Sequence, residues 1–172
     1  MADRVQIGLS LGSNLGDKIE HLRRASRMIL DQEDAVLVGK SSLYETEPVD
    51  VKEEFQHMKF VNSVMIIETD LDAQHWLKTI GDVEFALGRR RDTDDKNVPR
   101  EVDVDIIFYG DHLIGSGGLV VPHPRWAERR FVVQPLAELQ PNRILPGMED
   151  TVAEVLASLP GADELIQLDT EW

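Results

Sequence analysis

The chain has 172 residues, 42% hydrophobic and 29% charged, which suits one compact domain and is too short for two full ones. Its formal net charge of −14 disfavours general nucleic-acid binding, so we expect no nucleic-acid partner. The lack of cysteine excludes disulfides, thiol nucleophiles and thiolate metal sites, which leaves carboxylates, histidines and hydroxyls for chemistry. No stretch approaches the ~20 apolar residues of a membrane span, and we expect a monomeric cytoplasmic protein without membrane contact.

The first half of the chain predicts three strands and one helix. Residues 5–12 read as a strand that leads into a turn, and Asp17 follows as the cap of a helix with apolar residues at helical spacing. Residues 36–44 predict the second strand. After a polar loop that contains Pro48, residues 60–68 predict the third.

The second half predicts a helix, a strand and shorter C-terminal elements. Asp72 can cap the helix, and Gly88 ends it after a buried stripe of Trp76, Ile80, Val83 and Leu87. Residues 101–109 predict the fourth strand, with a short partner strand at 112–114 and a helix near 151–159. The order β-α-β-β-α-β is typical of an α+β, ferredoxin-like core, an antiparallel sheet with two helices on one face.

The fourth predicted strand carries two carboxylates. Asp103 and Asp105 alternate with aliphatic residues, so they share one face with Cα atoms about 7 Å apart. Two like charges on one face repel each other unless a cation lies between them. An edge strand guarded by charge is the alternative explanation. Because Arg100 lies just upstream, we favour a divalent-cation site, since Mg²⁺ prefers one or two carboxylates plus substrate phosphates.

Basic side chains concentrate between residues 89 and 130. This segment holds eight basic and eight acidic residues, so the excess negative charge lies outside it. For the run Arg89–Arg91, a solvated loop and an anion-binding surface are about equally good explanations. His123 lies between two prolines and precedes Arg125, Arg129 and Phe131, a combination that can present cations and an aromatic face together. Residues 11–17, LGSNLGD, lack the P-loop and Rossmann patterns, and an ordinary turn is favoured there.

Six segments, in their joint order and spacing, resemble the 6-hydroxymethyl-7,8-dihydropterin pyrophosphokinase family of folate biosynthesis. They are LGSNLGD (11–17), YETEPV (44–49), FVNSV (60–64), the helix end from Glu84 to Gly88-Arg89, PREVDVDI (99–106) and VPHPRWAERRFVVQPL (121–136). The resemblance covers nearly the whole chain and implies a single domain over residues 1–172. It also implies transfer of the terminal diphosphate of ATP to the hydroxymethyl group of the pterin, with release of AMP.

The resemblance implies a role for individual residues. Asp103 and Asp105 are the expected ligands of two Mg²⁺ ions, and Arg89, Arg100 and Asp105 the expected catalytic residues. The expected contacts of ATP are Glu84, Arg89, Arg91, Arg100, Ile106, His123 and Arg129, with the loop between Arg89 and Arg100 closing over the nucleotide. For the pterin, Phe60 and Phe131 are expected to sandwich the ring and Asn62 to bind its edge, with Thr46, Val49 and Asp103 completing the pocket. The chain departs from the family pattern at Glu47, Gly81, the Asn97-Val98 pair and Pro124.

Two other functions use some of the same residues. A metal-dependent phosphohydrolase could use the two aspartates and the arginines, but hydrolysis requires no second planar pocket of the kind Phe60 and Phe131 would form. A non-catalytic nucleotide-binding regulator would bind ATP without turnover, and the intact pair of carboxylates argues against it.

Overall fold

The computed structural model describes residues 3–89 and 98–172. The strands are β1 (Val5–Ser13), β2 (Val36–Lys40), β3 (Leu43–Thr46), β4 (Phe60–Thr69), β5 (Asp103–Tyr109), β6 (Ile114–Ser116), β7 (Leu119–Val121) and β8 (Leu165–Leu168). The helices are α1 (Lys18–Leu30), α2 (Ala73–Ala86), α3 (Arg130–Leu139) and α4 (Val152–Ser158).

The main sheet is antiparallel and has the order β5-β1-β4-β3-β8, while β2 pairs with another part of β4. The register places Gly12 of β1 opposite Asp103 on one side and Asn62 on the other. The predicted α+β fold with an antiparallel sheet is confirmed. In this order β5 is an edge strand, and on its outer side the Ile107 carbonyl accepts a hydrogen bond from the His123 N–H.

Each face of the sheet has its own hydrophobic core. On one face α1 and α2 pack aliphatic side chains and the fully buried Trp76 against β1, β4 and β5. On the other face α3 and α4 cover only part of the sheet, around Ile66 and Ile107. The ends of β1, β4 and β5 that carry Gly12, Asn62 and Asp103 extend beyond this second layer and line a cavity. No helix in the described parts of the chain is both long enough and apolar enough to cross a membrane.

The helix caps expected from the sequence are present. Asp17 accepts a hydrogen bond from the backbone N–H of Glu20, and Asp72 accepts one from the N–H of His75. These bonds satisfy backbone donors that the first turn of a helix leaves without partners. Both helices therefore begin where the sequence places them, and the predicted stripe of α2 is buried.

Two predicted strands differ from the structure. Residues 36–44 form two strands, because Ser41 Oγ accepts a hydrogen bond from Val64 N–H and donates one to the Ser42 carbonyl. Both β2 and β3 pair with β4, and at the break between them these side-chain bonds and the bond from the Ser41 N–H to the Val64 carbonyl replace the regular ladder to β4. The short strand predicted at 112–114 instead spans Ile114–Ser116 and pairs with β7, across a turn at Gly117 and Gly118 where φ is positive.

Candidate active site

A cavity of about 700 Å³ lies at the end of the sheet that α3 and α4 leave open. Its walls come from β1, β4, β5, α2, the β6–β7 hairpin and the segment from His123 to Phe131. Its size is within the usual range for a pocket that binds small molecules.

The two aspartates of β5 lie in the middle of this cavity. Asp103 and Asp105 are 41% and 43% exposed, and the residues that alternate with them are buried. Arg100 Nη1 lies 2.8 Å from Asp103 Oδ1. The Oδ2 atom of Asp105 lies 3.9 Å from both His123 Nε2 and Arg129 Nη1. The predicted alternation is confirmed, and both carboxylates line the cavity beside basic groups.

Glu84 of α2 reaches the same region but is almost completely buried, with 5% of its surface exposed. Its carboxylate pairs with the Arg89 guanidinium. Burial, followed by the negative charge of Asp103, raises the pKa of Glu84 to about 8, against the opposing effect of Arg89. Glu84 is therefore largely protonated near neutral pH, and the protein carries one fewer negative charge at this position than its formula indicates.

The carboxylates of β5 fit a hard divalent cation. Both line the cavity, and their side chains are 41% and 43% exposed. No cluster of three or more Asp, Glu, His or Cys side chains arranged to hold a metal occurs within residues 3–89 and 98–172. Two carboxylates that need substrate oxygens to complete the coordination sphere are the donor set that Mg²⁺ uses with phosphorylated substrates.

One half of the cavity combines aromatic rings with buried polar groups. Phe60 begins β4 and Phe131 lies in α3, and both line the cavity. Asn62 is buried, and its Nδ2 donates a hydrogen bond of 2.7 Å to Thr46 Oγ1. The Arg129 guanidinium lies 5.7 Å from the centre of the Phe131 ring. Because both rings and a fixed amide line one cavity, this half suits a flat heterocycle with a polar edge.

The other half of the cavity lies between α2 and the β6–β7 hairpin. Its apolar lining consists of Leu77, Ile80, Val104, Ile106, Leu119 and Val120, joined by Gly81 and Gly118. The aspartates of β5 lie between this apolar half and the aromatic half. The cavity can therefore hold two different planar groups on either side of a charged centre.

Ion pairs tie the loops around the cavity mouth to its walls. Lys59 Nζ lies 3.4 Å from carboxylate oxygens of both Glu45 and Glu47. Arg125 Nη1 lies 2.9 Å from Asp50 Oδ2 and connects the loop after β3 to the segment before α3. These groups are partly exposed, so each pair contributes little to stability.

The structure brings the described site residues together. The cavity lining includes Thr46, Val49, Phe60, Asn62, Glu84, Arg89, Arg100, Asp103, Asp105, Ile106, His123, Arg129 and Phe131. Arg91, Asn97 and most of the expected closing loop lie outside the described residues. The functional roles assigned to these positions stay predictions.

Sequence reasoning missed the contribution of β1. Ser10 and Gly12 of β1 and Asn14, which directly follows the strand, line the cavity, whereas the sequence pattern predicts only an ordinary turn for residues 11–17. Asn14 exchanges two hydrogen bonds with Arg100, one from the Arg100 N–H to Asn14 Oδ1 and one from the Asn14 N–H to the Arg100 carbonyl. The small residues Ser10 and Gly12, which share one face of β1, are the signal that could have indicated a strand face open to a ligand. Gly8, on the same face, is instead covered by the Phe108 ring.

Comparison with known proteins gives a consistent result. A family model described as 7,8-dihydro-6-hydroxymethylpterin-pyrophosphokinase (HPPK) matches residues 8–141. The 2-amino-4-hydroxy-6-hydroxymethyldihydropteridine pyrophosphokinase of Bacillus subtilis is 41% identical over 76% of this chain and 75% of its own length. The protein of the same name from Methylorubrum extorquens is 35% identical over 88% of this chain and 91% of its own length.

Other relatives are much longer. The folic acid synthesis protein fol1 of Schizosaccharomyces pombe is 36% identical over 88% of this chain, but the match spans only 20% of that protein. A solved structure of wild-type Plasmodium falciparum HPPK-DHPS with pteroate has a TM-score of 0.69 at 14% identity, covering 90% of this chain and 42% of that one. At this identity the structural match supports the fold alone.

Proposed function

The chain belongs to the 7,8-dihydro-6-hydroxymethylpterin-pyrophosphokinase family, and from this membership we propose that it transfers diphosphate from ATP to the hydroxymethyl group of 6-hydroxymethyl-7,8-dihydropterin. The products are AMP and the pterin diphosphate used in folate biosynthesis. The observation that carries the proposal is the single cavity in which Asp103 and Asp105 separate an aromatic half from an apolar half.

The pterin occupies the aromatic half in this proposal. Phe60 and Phe131 contact its faces, and the Asn62 amide, held by Thr46, binds its polar edge. Gly12 contributes by its lack of a side chain, because a Cβ atom there would lie 2.6 Å from Asn62 Oδ1. Gly12, which is paired with Asp103 in the sheet, therefore leaves the space that the Asn62 amide occupies.

The nucleotide occupies the other half, with its phosphates toward the charged centre. Arg89, Arg100 and Arg129 offset negative charge on the phosphoryl oxygens, and His123 adds a hydrogen-bonding ring beside Asp105. The base then reaches the backbone of Ile106 on the edge strand β5, next to the Ile107 carbonyl that accepts a hydrogen bond from the His123 N–H. Binding of both substrates across β5 aligns the pterin hydroxyl with the β-phosphorus.

The reaction is an in-line displacement at the β-phosphorus of ATP. The pterin hydroxyl oxygen forms the new P–O bond while the bond from the β-phosphorus to the α,β-bridging oxygen breaks, and AMP leaves with that oxygen. Asp105 is one candidate acceptor for the hydroxyl proton. Arg100, held by Asp103 and Asn14, is positioned to stabilise charge that develops in the transition state.

Magnesium fits the site as a partner of ATP. Asp103 and Asp105 would hold the ions, which when bound supply positive charge to the phosphoryl oxygens and polarise the groups that react. The supporting observation is the donor set, two accessible carboxylates on one strand face.

The decisive experiment measures AMP formation from Mg-ATP with and without 6-hydroxymethyl-7,8-dihydropterin. We expect AMP only when the pterin is present. We expect Asp103→Ala and Asp105→Ala to abolish it, with kcat losses on the order of 10²- to 10³-fold or more. Arg27→Ala is the matched control, since Arg27 lies on α1 with 63% of its side chain exposed and pairs with Glu20.

Each alternative function gives a different result in this assay. Release of ADP and phosphate regardless of the pterin supports a phosphohydrolase. ATP binding without any nucleotide product supports a regulator. Near-normal turnover of either aspartate variant would overturn the metal assignment.

We also propose that residues 1–172 act as a single domain, as a monomer in the cytoplasm. The support for the single domain, within the described residues, is that both hydrophobic cores share one sheet and that one cavity contains the site. Sedimentation equilibrium at several protein concentrations tests the monomer: a mass of 19.4 kDa at every concentration supports it, and a larger mass at any of them overturns it.

A further inference from the structure

Helix α2 presents a glycine to the cavity that neither packing nor backbone conformation requires. Gly81 lies near the middle of the helix, and a Cβ atom built on it would meet no heavy atom of the described residues within 4 Å. Its φ is not among the positive values found in the described chain. Glycine inside a helix stabilises the helix less than alanine does. Gly81 therefore lowers the stability of α2, and nothing within the helix requires a glycine there.

The space beside Gly81 belongs to one end of the cavity. The lining residues of α2 are Leu77, Ile80, Gly81 and Glu84, which share one helix face by their spacing. Glu84 pairs with Arg89 at the charged centre. Gly81 lies three residues earlier, about 4.5 Å away along the helix axis and toward Leu77. Gly81 therefore borders the apolar half of the cavity rather than its charged centre.

The residues that form the opposite wall of this apolar end include a glycine and an exposed valine. The β6–β7 hairpin contributes Gly118, Leu119 and Val120 to the cavity, and Val120 is 53% exposed. Apolar walls with few charged groups suit the nucleoside of ATP and not its phosphates. Because residues 81 and 118 are glycines, this end of the cavity is wider among the described residues than it would be with larger side chains at these positions.

We propose that Gly81 determines nucleotide selectivity by leaving unfilled space beside the nucleoside, so that the protein accepts ATP derivatives that carry an added aryl group on the base or the ribose. The inference rests on the proposed function, because it takes the apolar end of the cavity to be the nucleoside site. A larger side chain at position 81 would fill the space and exclude such derivatives while ATP itself still fits.

The test compares the binding of ATP, N6-benzyl-ATP and an ATP that carries an N-methylanthraniloyl group on its ribose. Isothermal titration with Mg²⁺ gives dissociation constants for the wild-type chain, Gly81→Ala and Gly81→Leu. The matched control is Asp82→Leu, which adds the same side chain at the next position. Asp82 is exposed, pairs with Lys78 at 2.7 Å and does not line the cavity.

We expect at least one enlarged nucleotide to bind the wild-type chain within about tenfold of ATP. We expect Gly81→Leu to raise the dissociation constant of that nucleotide by about tenfold or more, and the dissociation constant of ATP by less than about threefold. Asp82→Leu should leave the ratio of the two affinities unchanged. Gly81→Ala should raise the melting temperature, which separates helix stability from selectivity.

Two results overturn the inference: rejection of both enlarged nucleotides by the wild-type chain, or equal effects of Gly81→Leu on ATP and its derivatives. Pterin-dependent AMP formation from ATP is measured on the same preparations. If it is present while the selectivity is independent of residue 81, only this inference fails. If it is absent, the proposed function fails, whatever the nucleotide affinities show.

Discussion

Glu84 is expected to make the stability of the ligand-free protein fall as the pH rises. Burial and the charge of Asp103 raise its pKa from the ordinary 4.5 to about 8. Between these values the native state holds a proton that the unfolded chain releases, so the free energy of unfolding decreases with increasing pH. The contribution is fully present below pH 4.5 and is lost as the pH rises through 8. At 1.36 kcal/mol per pH unit, the whole difference corresponds to about 5 kcal/mol, shared with the coupled Arg89 and the β5 carboxylates.

The variant Glu84→Gln isolates this effect, because glutamine has the shape of the protonated side chain and does not titrate. Urea unfolding at pH 5.5 and pH 7.5, in EDTA and without nucleotide, gives the free energies of both proteins. We expect the wild-type chain to lose about 2 to 3 kcal/mol more than the variant over this interval. All other titrating groups are common to both proteins, so they cancel in the comparison. Equal pH dependence of the two proteins would refute the assignment of a raised pKa to Glu84.

Three further substitutions separate substrate recognition, chemistry and folding. Gly12→Ala should displace the Asn62 amide and raise the KM for the pterin about tenfold or more, with little change in the KM for ATP. Arg100→Ala should lower kcat by about 10²- to 10³-fold while the KM for ATP changes less, because its charge acts mainly in the transition state. Thr151→Ala removes the capping box of α4 and should cost about 1 kcal/mol in urea unfolding without altering kinetics.

Each of these predictions has a control or a contrary result. Gly115→Ala is the control for Gly12→Ala, since a Cβ atom at Gly115 meets nothing within 4 Å among the described residues. Equal changes in the two KM values would contradict the specific role of Gly12. A larger effect of Arg100→Ala on ATP binding than on kcat would make Arg100 a binding residue. Unchanged stability of Thr151→Ala would show that the capping box contributes nothing.

The elements that the sequence predicted well are those with one dominant local signal. Helix α2 combines an Asp72 cap with a clear apolar stripe, and its observed start agrees with the pattern. The alternation around Asp103 and Asp105 likewise survives in β5, because a strand with one buried face fixes which side chains point outward. In both cases the residues that decide the structure are neighbours along the chain.

The features that the sequence did not reveal depend on contacts between distant segments. The break between β2 and β3 arises from Ser41 bonding to Val64 in another strand. The role of Asn14 at the cavity depends on Arg100, 86 residues later. The local sequence around Glu84 does not predict its burial either, since a carboxylate in the last turns of a helix is usually exposed. Local spacing carries no information on these pairings.

The charges around β5 explain why the guarded-edge interpretation of the two aspartates is the weaker one. A strand that uses carboxylates only to prevent edge pairing needs no cations beside them, yet Arg100 and Arg129 lie within 4 Å of the pair. With Glu84 protonated near neutral pH, the other charged side chains that line the described cavity cancel, four arginines (Arg89, Arg100, Arg125 and Arg129) against Glu47, Asp50, Asp103 and Asp105. A triphosphate brings about four negative charges, so metal ions would have to offset an excess of about four. Nucleotide affinity should therefore fall when Mg²⁺ is removed, and one divalent cation would neutralise only part of this excess.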